Sequence, residues 1–419
     1  MMVMIPVGGR AQRLLPLTAE TSKACLRLLN RPLIEFSILA LARQGIRNFI
    51  FGVKGYRNYR DLYDYFESGY GLSARYSISP RVHIKYQPNV DDLGSADSVR
   101  INMDYYHVRN PVFVVQGDNI FDINLKELVN FHHEKEAFVT IALIEVKDVG
   151  GFGIAELSGD NRIKRFVEKP KPEEAPSRLA NAGLYLLSPE VRKVFRENGV
   201  RRIMKERNRL DFGYDFIPYI VKTGRPVYGY VMNGVWYDVG TPSRYLEAMR
   251  GLLDGKCSYL VDFGGRICDD ARIWIQGESP EAKRRRREII TKIKSGRICV
   301  QGSVLIGRHC RIEDGASIIN SCIDNYTKIE RGAVIENSAV MDRSIIGEKA
   351  EIRDSIIGRH VKVKSSSLKP TKIVSVSVVA DDVVIEAGSS LNATKIYPHQ
   401  HVEGEFENQT LILKQSFTP

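Results

Sequence analysis

The feature that most constrains the fold is a set of aliphatic residues that recur every five or six positions in the C-terminal part of the chain. Between residues 306 and 363 the steps repeat as 6, 6 and 5, so every third member lies 17 residues after the last. The set comprises Ile306, Ile312, Ile318, Ile323, Ile329, Ile335, Val340, Ile346, Ile352, Ile357 and Val363. A helix with 3.6 residues per turn does not give this period. Short strands that turn every five or six residues do, with one inward aliphatic side chain per side of a triangular coil.

Glycines recur near the predicted corners of this coil, where tight turns need them. They are Gly307, Gly315, Gly332, Gly347 and Gly358. The whole pattern resembles that of hexapeptide-repeat proteins, and the resemblance implies a left-handed parallel β-helix. We place this β-helix at residues 257–405 and a C-terminal tail at 406–419.

A basic segment at residues 278–297 interrupts the repeat. It contains five consecutive basic residues, Lys283–Arg287. A patch for nucleic acid is one interpretation. The run is single and has no interleaved aromatic residues for base stacking, so we favour a solvated loop or short helix that protrudes from one coil.

Residues 1–256 alternate between strand and helix patterns, and we predict that they form one domain. The predicted strands are Val3–Val7, Asn48–Val53, Val82–Tyr86, Pro111–Gln116 and Phe138–Val146. The predicted helices are Pro32–Gln44, Ser95–Tyr106 and Leu125–Glu134. This order predicts an α/β domain with a Rossmann-like, mostly parallel sheet covered by helices. Such sheets bind ligands at the carboxyl ends of their strands.

Composition excludes several classes of protein. Of the 419 residues, 43% are hydrophobic and 26% charged, which is ordinary for a globular protein. We identify no membrane span and no secretory signal. The six cysteines form no CxxC pair, which argues against a disulfide framework or a zinc site and favours a cytoplasmic location. The net charge of +11 fits anionic ligands, although basic residues also solvate surfaces.

The loop after the first predicted strand combines glycines with cations. Gly8 and Gly9 would let backbone N–H groups approach an anion closely, and Arg13 and Lys23 would neutralise a triphosphate. The loop is neither a P-loop, because GxxxxGK[ST] is absent, nor a dinucleotide fingerprint, because GxGxxG is absent.

This loop resembles the G-G-x-G-T-R-L-x-P-L-T signature of the sugar-phosphate nucleotidylyltransferases (NDP-sugar pyrophosphorylases). Further segments resemble that family's motifs in the same order. They are Tyr86-Gln87-Pro88 with Gly94-Ser95-Ala96, Val115-Gln116-Gly117-Asp118-Asn119, Gly151-Phe152-Gly153, Phe166-Val167-Glu168-Lys169-Pro170, Asn181-Ala182-Gly183-Leu184-Tyr185 and Trp236-Tyr237-Asp238-Val239-Gly240-Thr241-Pro242. With the β-helix, the resemblance covers nearly the whole chain.

The chain departs from the family signature at three positions. Ala11 and Gln12 replace Gly-Thr in the loop, and Ser22 replaces the Pro before Lys23. The Cβ of Ala11 is expected to restrict the backbone where it approaches phosphate.

The resemblance implies specific residue roles. The catalytic residues would be Arg13, Lys23, Asp118 and Lys169. The nucleotide would be bound by Gly8, Gly9, Arg13, Gln87, Gly94 and Ser95. The sugar phosphate would be bound by Gly153, Glu168, Lys169 and Asn181. Asp118 and Asp238 would hold Mg²⁺, a hard cation suited to carboxylate and phosphate oxygens.

The implied reaction is attack of a sugar-1-phosphate oxygen on the α-phosphorus of an NTP, with release of pyrophosphate. The Pro6-Val7-Gly8-Gly9 opening resembles mannose-1-phosphate guanylyltransferases, so GTP and mannose-1-phosphate are the expected substrates. Two alternatives stay open: a glucose-1-phosphate thymidylyl- or uridylyltransferase, and a non-catalytic regulatory or scaffold subunit of the same superfamily. The presence of the whole charged set favours an enzyme.

Further expectations concern the histidines and assembly. His309, His360, His399 and His401 lie in or after the β-helix without a catalytic loop, which argues against an acyltransferase. We expect His132 and His133 to be solvated on a polar helix face. The flat, partly apolar sides of the β-helix predict a homo-oligomer.

Overall fold

The computed structural model describes residues 1–9, 11–89, 91–257, 259, 263–267 and 272–412. The chain forms two compact units. The first contains Met1–Gly9 and Leu33–Asp238, and the second contains Arg10–Pro32 and Val239–Pro419. In this division the segments 10–32 and 239–256 group with the C-terminal coil, and the domain boundary at residue 256 stays a prediction.

In chain order, the strands as far as residue 256 are β1 (Met2–Val7), β2 (Arg27–Leu28), β3 (Arg31–Pro32), β4 (Asn48–Val53), β5 (His83–Pro88), β6 (Val112–Val115), β7 (Asn119–Phe121), β8 (Val139–Glu145), β9 (Gly153–Leu157), β10 (Ile163–Glu168), β11 (Leu179–Leu187), β12 (Val227–Val231) and β13 (Trp236–Asp238). The helices are α1 (Leu33–Ala42), α2 (Tyr56–Phe66), α3 (Tyr70–Arg75), α4 (Ser95–Tyr105), α5 (Leu125–Glu134), α6 (Val191–Val194), α7 (Asn198–Arg207), α8 (Ile217–Lys222) and α9 (Pro242–Leu253). A π-helical turn, Phe212–Phe216, precedes α8.

The main sheet of the first unit has the order β10-β9-β11-β6-β1-β4-β5, with β8 pairing β11 and β12. The β6-β1-β4-β5 part is wholly parallel, as the alternation of strands and helices predicts. Beyond β6, β11 runs antiparallel to β6, β8 and β9. The predicted Rossmann-like α/β fold is confirmed.

Local sequence explains why several elements begin and end where they do. β4 and α5 have the predicted bounds. Asn124 precedes α5, and its side-chain oxygen accepts a hydrogen bond from the Glu127 backbone N–H, which satisfies one of the unpaired donors of the first turn. Leu125 and Leu128 of this helix are buried against the sheet.

The expectation that His132 is solvated was wrong. His132 is 3% exposed, and its ring lies between two hydroxyl groups, with Nδ1 2.8 Å from Thr140 Oγ1 and Nε2 3.0 Å from Ser188 Oγ. The His132 side chain points toward β8 from the last turn of α5, so the two consecutive histidines do not share one environment. Burial lowers the pKa of His132 to about 4.

The second unit contains the hairpin formed by β2 and β3, helix α9, helix α10 (Pro280–Lys294) and the coil. The coil strands are β14 (Ile273–Ile275), β15 (Cys299–Gln301), β16 (Val304–Ile306), β17 (Arg311–Ile312), β18 (Ser317–Ile319), β19 (Cys322–Ile323), β20 (Lys328–Ile329), β21 (Val334–Glu336), β22 (Ala339–Val340), β23 (Ile345–Ile346), β24 (Glu351–Arg353), β25 (Ile356–Ile357), β26 (Lys362–Val363), β27 (Lys372–Val374), β28 (Val378–Val379), β29 (Val384–Ile385), β30 (Ser390–Asn392), β31 (Lys395–Ile396), β32 (His401–Val402), β33 (Glu405–Glu407) and β34 (Thr410–Leu411).

These strands form three parallel sheets, and successive strands belong to different sheets. Residues 17 apart in sequence are neighbours in register, for example Ile306 with Ile323 and Ile312 with Ile329. All eleven aliphatic residues of the predicted repeat are buried in one core. The predicted parallel coil is therefore confirmed. The coil continues through Leu411 rather than ending at residue 405, and residues 413–419 lie outside the described part of the chain.

The basic segment forms α10, which occupies the place of a third strand in the first coil. Ala282 and Ile289 of this helix are buried, and Ile289 belongs to the coil core. The Lys292 ammonium donates a hydrogen bond to the Ile312 carbonyl of β17, 2.7 Å away. One face of α10 thus packs on the coil, while Arg284 and Arg287 are exposed.

A search of the described residues finds no helix that is both long enough and apolar enough to cross a membrane.

Candidate active site

Four parallel strands of the first unit end at the same edge of the sheet. Gly8 and Gly9 follow β1, Lys54 follows β4, and Gly117 and Asp118 come shortly after β6. Gln87 lies near the end of β5 and is paired in register with Gly52 of β4. Because parallel strands present their carboxyl ends together, this edge collects four of the residues that the sequence predicts for nucleotide and metal: Gly8, Gly9, Gln87 and Asp118.

The two predicted metal ligands come together through a small antiparallel ladder. Asp238, at the end of β13, lies opposite Asn119 of β7, the residue that follows Asp118. Both aspartates are half-buried. Residues 120 positions apart in sequence are thus neighbours in space, and carboxylate oxygens are ligands that Mg²⁺ accepts.

Buried hydrogen bonds fix the backbone beside Asp118. The Asn119 side-chain amide donates to the Ala182 carbonyl at 2.8 Å, and the Asn119 backbone carbonyl accepts from the Ser37 hydroxyl at 2.7 Å. The Trp236 indole N–H also donates to the Ala182 carbonyl, at 3.0 Å. One carbonyl of β11 therefore holds both strands of the ladder in place.

Glu168 and Lys169, predicted to bind the sugar phosphate, lie at the end of β10. Lys169 has a left-handed backbone conformation, with φ of 50°, and its N–H donates to the Phe152 carbonyl. Its ammonium is 3.8 Å from Glu168 Oε1 and 5.0 Å from the centre of the Tyr214 ring. The Arg209 guanidinium lies 4.5 Å from the same ring, so two cations share one aromatic side chain.

The Glu168 carboxylate fits against two glycines. A Cβ on Gly153 would lie 2.5 Å from Glu168 Oε2, and a Cβ on Gly213 would lie 2.2 Å from it. Burial raises the pKa of Glu168, and the charge of Lys169 opposes this effect. The absence of a side chain at both glycines is what leaves room for this carboxylate.

Two predicted ligand-binding residues have hydrogen-bonding roles within the protein. The Ser95 hydroxyl donates to Asp211 Oδ1 at 3.1 Å and accepts from the Phe212 N–H at 3.1 Å. Gly94 precedes it with φ of 139°. Asn181 accepts from the Gly183 N–H at 2.9 Å and donates to the Tyr185 hydroxyl at 2.8 Å. These contacts shape the start of α4 and the bend in β11, and a ligand-binding role for either residue stays a prediction.

Arg13 and Lys23 belong to the second unit, in the segment between β1 and β2. Ala11 takes a left-handed conformation with φ of 46°, although the family signature has glycine there. The Ala11 carbonyl accepts hydrogen bonds from the Leu14 N–H at 3.0 Å and from the Thr18 hydroxyl at 3.1 Å. The loop therefore keeps a glycine-like backbone turn despite the Cβ, and Arg13 lies within the 3₁₀ turn that follows.

Sequence reasoning missed Lys54, Arg209 and Tyr214. The Lys54 ammonium donates to the Asp92 carbonyl and lies 3.4 Å from its carboxylate, whose pKa is raised by burial and lowered by Lys54. Lys54 follows β4, so the expectation that ligands bind at the carboxyl ends of parallel strands would have identified it. Arg209 and Tyr214 follow no recognised motif, and only the fold brings them to Lys169.

Comparison with known proteins identifies the family of each part of the chain. The family model described as "Nucleotidyl transferase" matches residues 2–255, and the model described as "GMPPB C-terminal domain" matches residues 300–412. The fold and the residues at its strand ends thus define a nucleotide-transferring enzyme. The chain belongs to the nucleotidyl transferase family and is a sugar-1-phosphate nucleotidyltransferase.

Several relatives match over most of their length, and two of them illustrate the range of reactions. A mannose-1-phosphate guanyltransferase from Candida albicans is 28% identical over 98% of this chain and 99% of its own. A UTP–glucose-1-phosphate uridylyltransferase from Synechocystis is 28% identical over 88% of this chain and 90% of its own. In fold, the chain is similar to a UDP-glucose pyrophosphorylase solved with UDP-glucose, with a TM-score of 0.51, 24% identity and coverage of 61% of this chain and 100% of that one.

Proposed function

We propose that the chain joins GTP and mannose-1-phosphate to give GDP-mannose and pyrophosphate. The observation that carries this proposal is the combined match of both domains. The C-terminal coil matches the GMPPB C-terminal domain, and the relatives that cover nearly the whole chain include mannose-1-phosphate guanyltransferases.

A second candidate is the transfer of a uridylyl group to glucose-1-phosphate. The Synechocystis relative favours it, because it is named for that reaction and matches at the same identity. The two candidates share the phosphate chemistry and differ in the base and the sugar.

For the metal we propose Mg²⁺ held by Asp118 and Asp238. Within the described part of the chain, no three or more His, Cys, Asp or Glu side chains are grouped so that they could hold a metal ion. Two adjacent carboxylates fit an ion that takes its remaining ligands from water and substrate phosphates, as Mg²⁺ commonly does. When bound, such an ion would neutralise the α-phosphate.

The remaining charged residues would bind and orient two polyanionic substrates. Arg13 would stabilise the leaving pyrophosphate, and Lys23 would contact the α- and β-phosphates. Lys169 would pair with the phosphate of the sugar, and Glu168 would accept sugar hydroxyls. No general base is required, because the attacking phosphate oxygen is already ionised. Catalysis then depends on alignment and charge neutralisation.

The test is a pyrophosphate-release screen that combines four NTPs with several hexose-1-phosphates in the presence of Mg²⁺. We expect the highest kcat/KM with GTP and mannose-1-phosphate. A strong preference for UTP or dTTP would overturn the guanyl assignment alone. Release from no pair would contradict every residue role proposed above.

We also propose that the chain self-associates through the sides of its coil. Exposed Ile345 lies on one coil side, and flat parallel sheets offer a regular contact surface. Light scattering of the full chain at micromolar concentration tests this proposal, and a monomer would contradict it.

A further inference from the structure

Arg27 and Asp324 form a two-bond ion pair inside the second unit. Arg27 Nε donates to Asp324 Oδ2 at 2.5 Å, and Nη2 donates to Oδ1 at 3.0 Å. Arg27 begins the hairpin that follows Lys23, whereas Asp324 lies at a coil corner 297 residues later. The Asp324 side chain is 4% exposed and that of Arg27 is 23% exposed. The pair therefore lies largely out of water.

Other contacts hold the same hairpin on the coil. The Tyr245 hydroxyl of α9 donates to the Arg27 carbonyl at 2.6 Å, and the Asn30 amide donates to Gln276 at 2.9 Å. Leu29 and Asn30 form the two-residue turn of the hairpin with φ of 49° and 66°, and Leu29 is 1% exposed. A turn with two left-handed residues matches the twist of a tight hairpin. The chain beyond Lys23 is thus fixed at several points.

A buried pair of this kind constrains geometry more than an exposed one. Removing Asp324 leaves a guanidinium that is largely shielded from water and lies 3.9 Å from Asp342 Oδ1, whereas an exposed pair contributes little. The same segment offers an exposed pair for comparison: Glu20 lies 2.9 Å from His399 of the coil, and both side chains are about half exposed. The Arg27 pair is therefore the stronger restraint on residues 11–26.

We infer that Asp324 is a positioning residue for Arg13 and Lys23, acting through Arg27. Asp324 fixes the end of the segment that carries both cations, so that their charges are held in place before NTP binds. This inference rests on the proposed role of Arg13 and Lys23 in binding NTP phosphates. It assigns to the coil a part in the transfer reaction itself.

The experiment compares three single variants of the full chain. Asp324→Asn keeps the shape and removes the charge. Glu20→Gln removes the exposed pair on the same segment. Asp381→Asn is the matched control on the coil, because Asp381 is a half-buried carboxylate that accepts the Arg359 N–H at 2.8 Å. For each variant, amide hydrogen exchange is measured over residues 11–26, together with kcat and the KM of each substrate.

We expect faster exchange over residues 11–26 and a rise of about tenfold in the KM of NTP for Asp324→Asn alone, because small misplacements of binding groups have effects of this size or larger. The KM of the sugar-1-phosphate should stay within about twofold, since Lys169 belongs to the other unit. Unchanged exchange and an unchanged KM of NTP would overturn the inference. So would equal effects in Asp381→Asn.

The double variant Arg27→Gln/Asp324→Asn separates positioning from folding. It leaves no unpaired buried charge, so its melting temperature should recover relative to Asp324→Asn. The raised KM of NTP should persist, because the restraint is still absent. Full recovery of the KM would overturn the inference. If wild type releases pyrophosphate from no NTP, the proposed function fails, and the effect of Asp324 on NTP binding fails with it. Hydrogen exchange still reports whether Asp324 restrains residues 11–26.

Discussion

Asp238 lies directly opposite Asn119, and this pairing places Asp238 beside Asp118 at the carboxyl edge of the sheet. The register is set by the short strands β7 and β13, and Trp236 anchors one of them to β11. The site thus depends on two chain segments that meet only in the folded protein.

We predict that Asp118→Asn and Asp238→Asn each lower kcat by at least ~10²-fold, because an amide is a poorer Mg²⁺ ligand and charge stabilisation is lost. Folding should survive, since removing one of two adjacent carboxylates relieves repulsion in the metal-free protein. Turnover and melting temperature are measured across a Mg²⁺ titration. Asp160→Asn, in the exposed turn between β9 and β10, is the control. Near-wild-type turnover at low Mg²⁺ would remove that aspartate from the site.

Lys169→Gln should raise the KM of the sugar-1-phosphate by about tenfold or more, since it removes a charge-assisted bond to phosphate. The KM of NTP should change little. Lys164→Gln is the matched control, because Lys164 is an exposed lysine of the same strand, β10. Initial rates with each substrate varied in turn give both constants. Equal changes in both KM values would argue against a specific role for Lys169.

Gly213→Ala should weaken sugar-1-phosphate binding by displacing the Glu168 carboxylate, which an added Cβ would approach to 2.2 Å. Gly159→Ala is the control, because nothing lies within 4 Å of a Cβ at that position. The melting temperature and the KM of the sugar-1-phosphate are measured for both variants. An unchanged KM of the sugar-1-phosphate in Gly213→Ala would show that the position of the Glu168 carboxylate does not matter for binding this substrate.

Ala11→Gly should leave the chain as stable as wild type or more stable by up to about 1 kcal/mol, because glycine avoids the cost of a left-handed alanine. Ala24→Gly should be destabilising by a similar amount, since Ala24 is buried and has no left-handed φ. Urea unfolding of the two variants provides the comparison. A clear loss of stability in Ala11→Gly would contradict the conformation described for the loop.

We predict that protonation of the buried His132 lowers the free energy of unfolding at acid pH. The Ser188 hydroxyl donates to the Ala137 carbonyl, so it accepts from Nε2, and Nδ1 accepts from Thr140. Protonation would put a donor on Nδ1, which agrees with the pKa of about 4. Because the folded pKa lies below the unfolded value, this stability is complete above about pH 6.5 and falls as the pH drops toward 4.

The expected loss between pH 7.5 and 5 is at most about 2 kcal/mol, since the unfolded chain binds the extra proton. Urea midpoints of wild type and His132→Gln at both pH values measure it. His132→Gln should show a smaller drop than wild type. Equal drops would mean that folding does not lower the pKa of His132.

Much of the fold could be predicted from local pattern. The coil was predicted because its repeat of 17 residues keeps inward side chains in register, as for Ile306 and Ile323. The parallel strands β1 and β6 were predicted because each is an apolar run with glycine shortly after it, Gly8 and Gly117 respectively. The strands β9 and β11 were not predicted, because their antiparallel pairing depends on partner strands that the local sequence does not reveal.

Only those site residues that lie in recognisable sequence motifs could be predicted. Asp118, Asp238 and Lys169 stand in recognisable segments, and the fold brings the first two together. Lys54 and Arg209 have no such segment. The grouping of residues 10–32 with the coil was also unpredictable, because it rests on pairs such as Arg27 with Asp324, far apart in sequence.

Helix α10 also determines how the coil can be extended. The first rung of the coil is its first turn of strands. If the backbone N–H and C=O groups at the outer edge of this rung were unpaired, the strands of a second copy could pair with them, and coils could then add end to end into fibres. Here helix α10 occupies one of the three sides of that rung, and Lys292 takes up the Ile312 carbonyl of β17 that a further strand on this side would need. The charged run Lys283–Arg287 thus belongs to a helix that covers one strand edge at this end of the coil and leaves no place there for a further parallel strand.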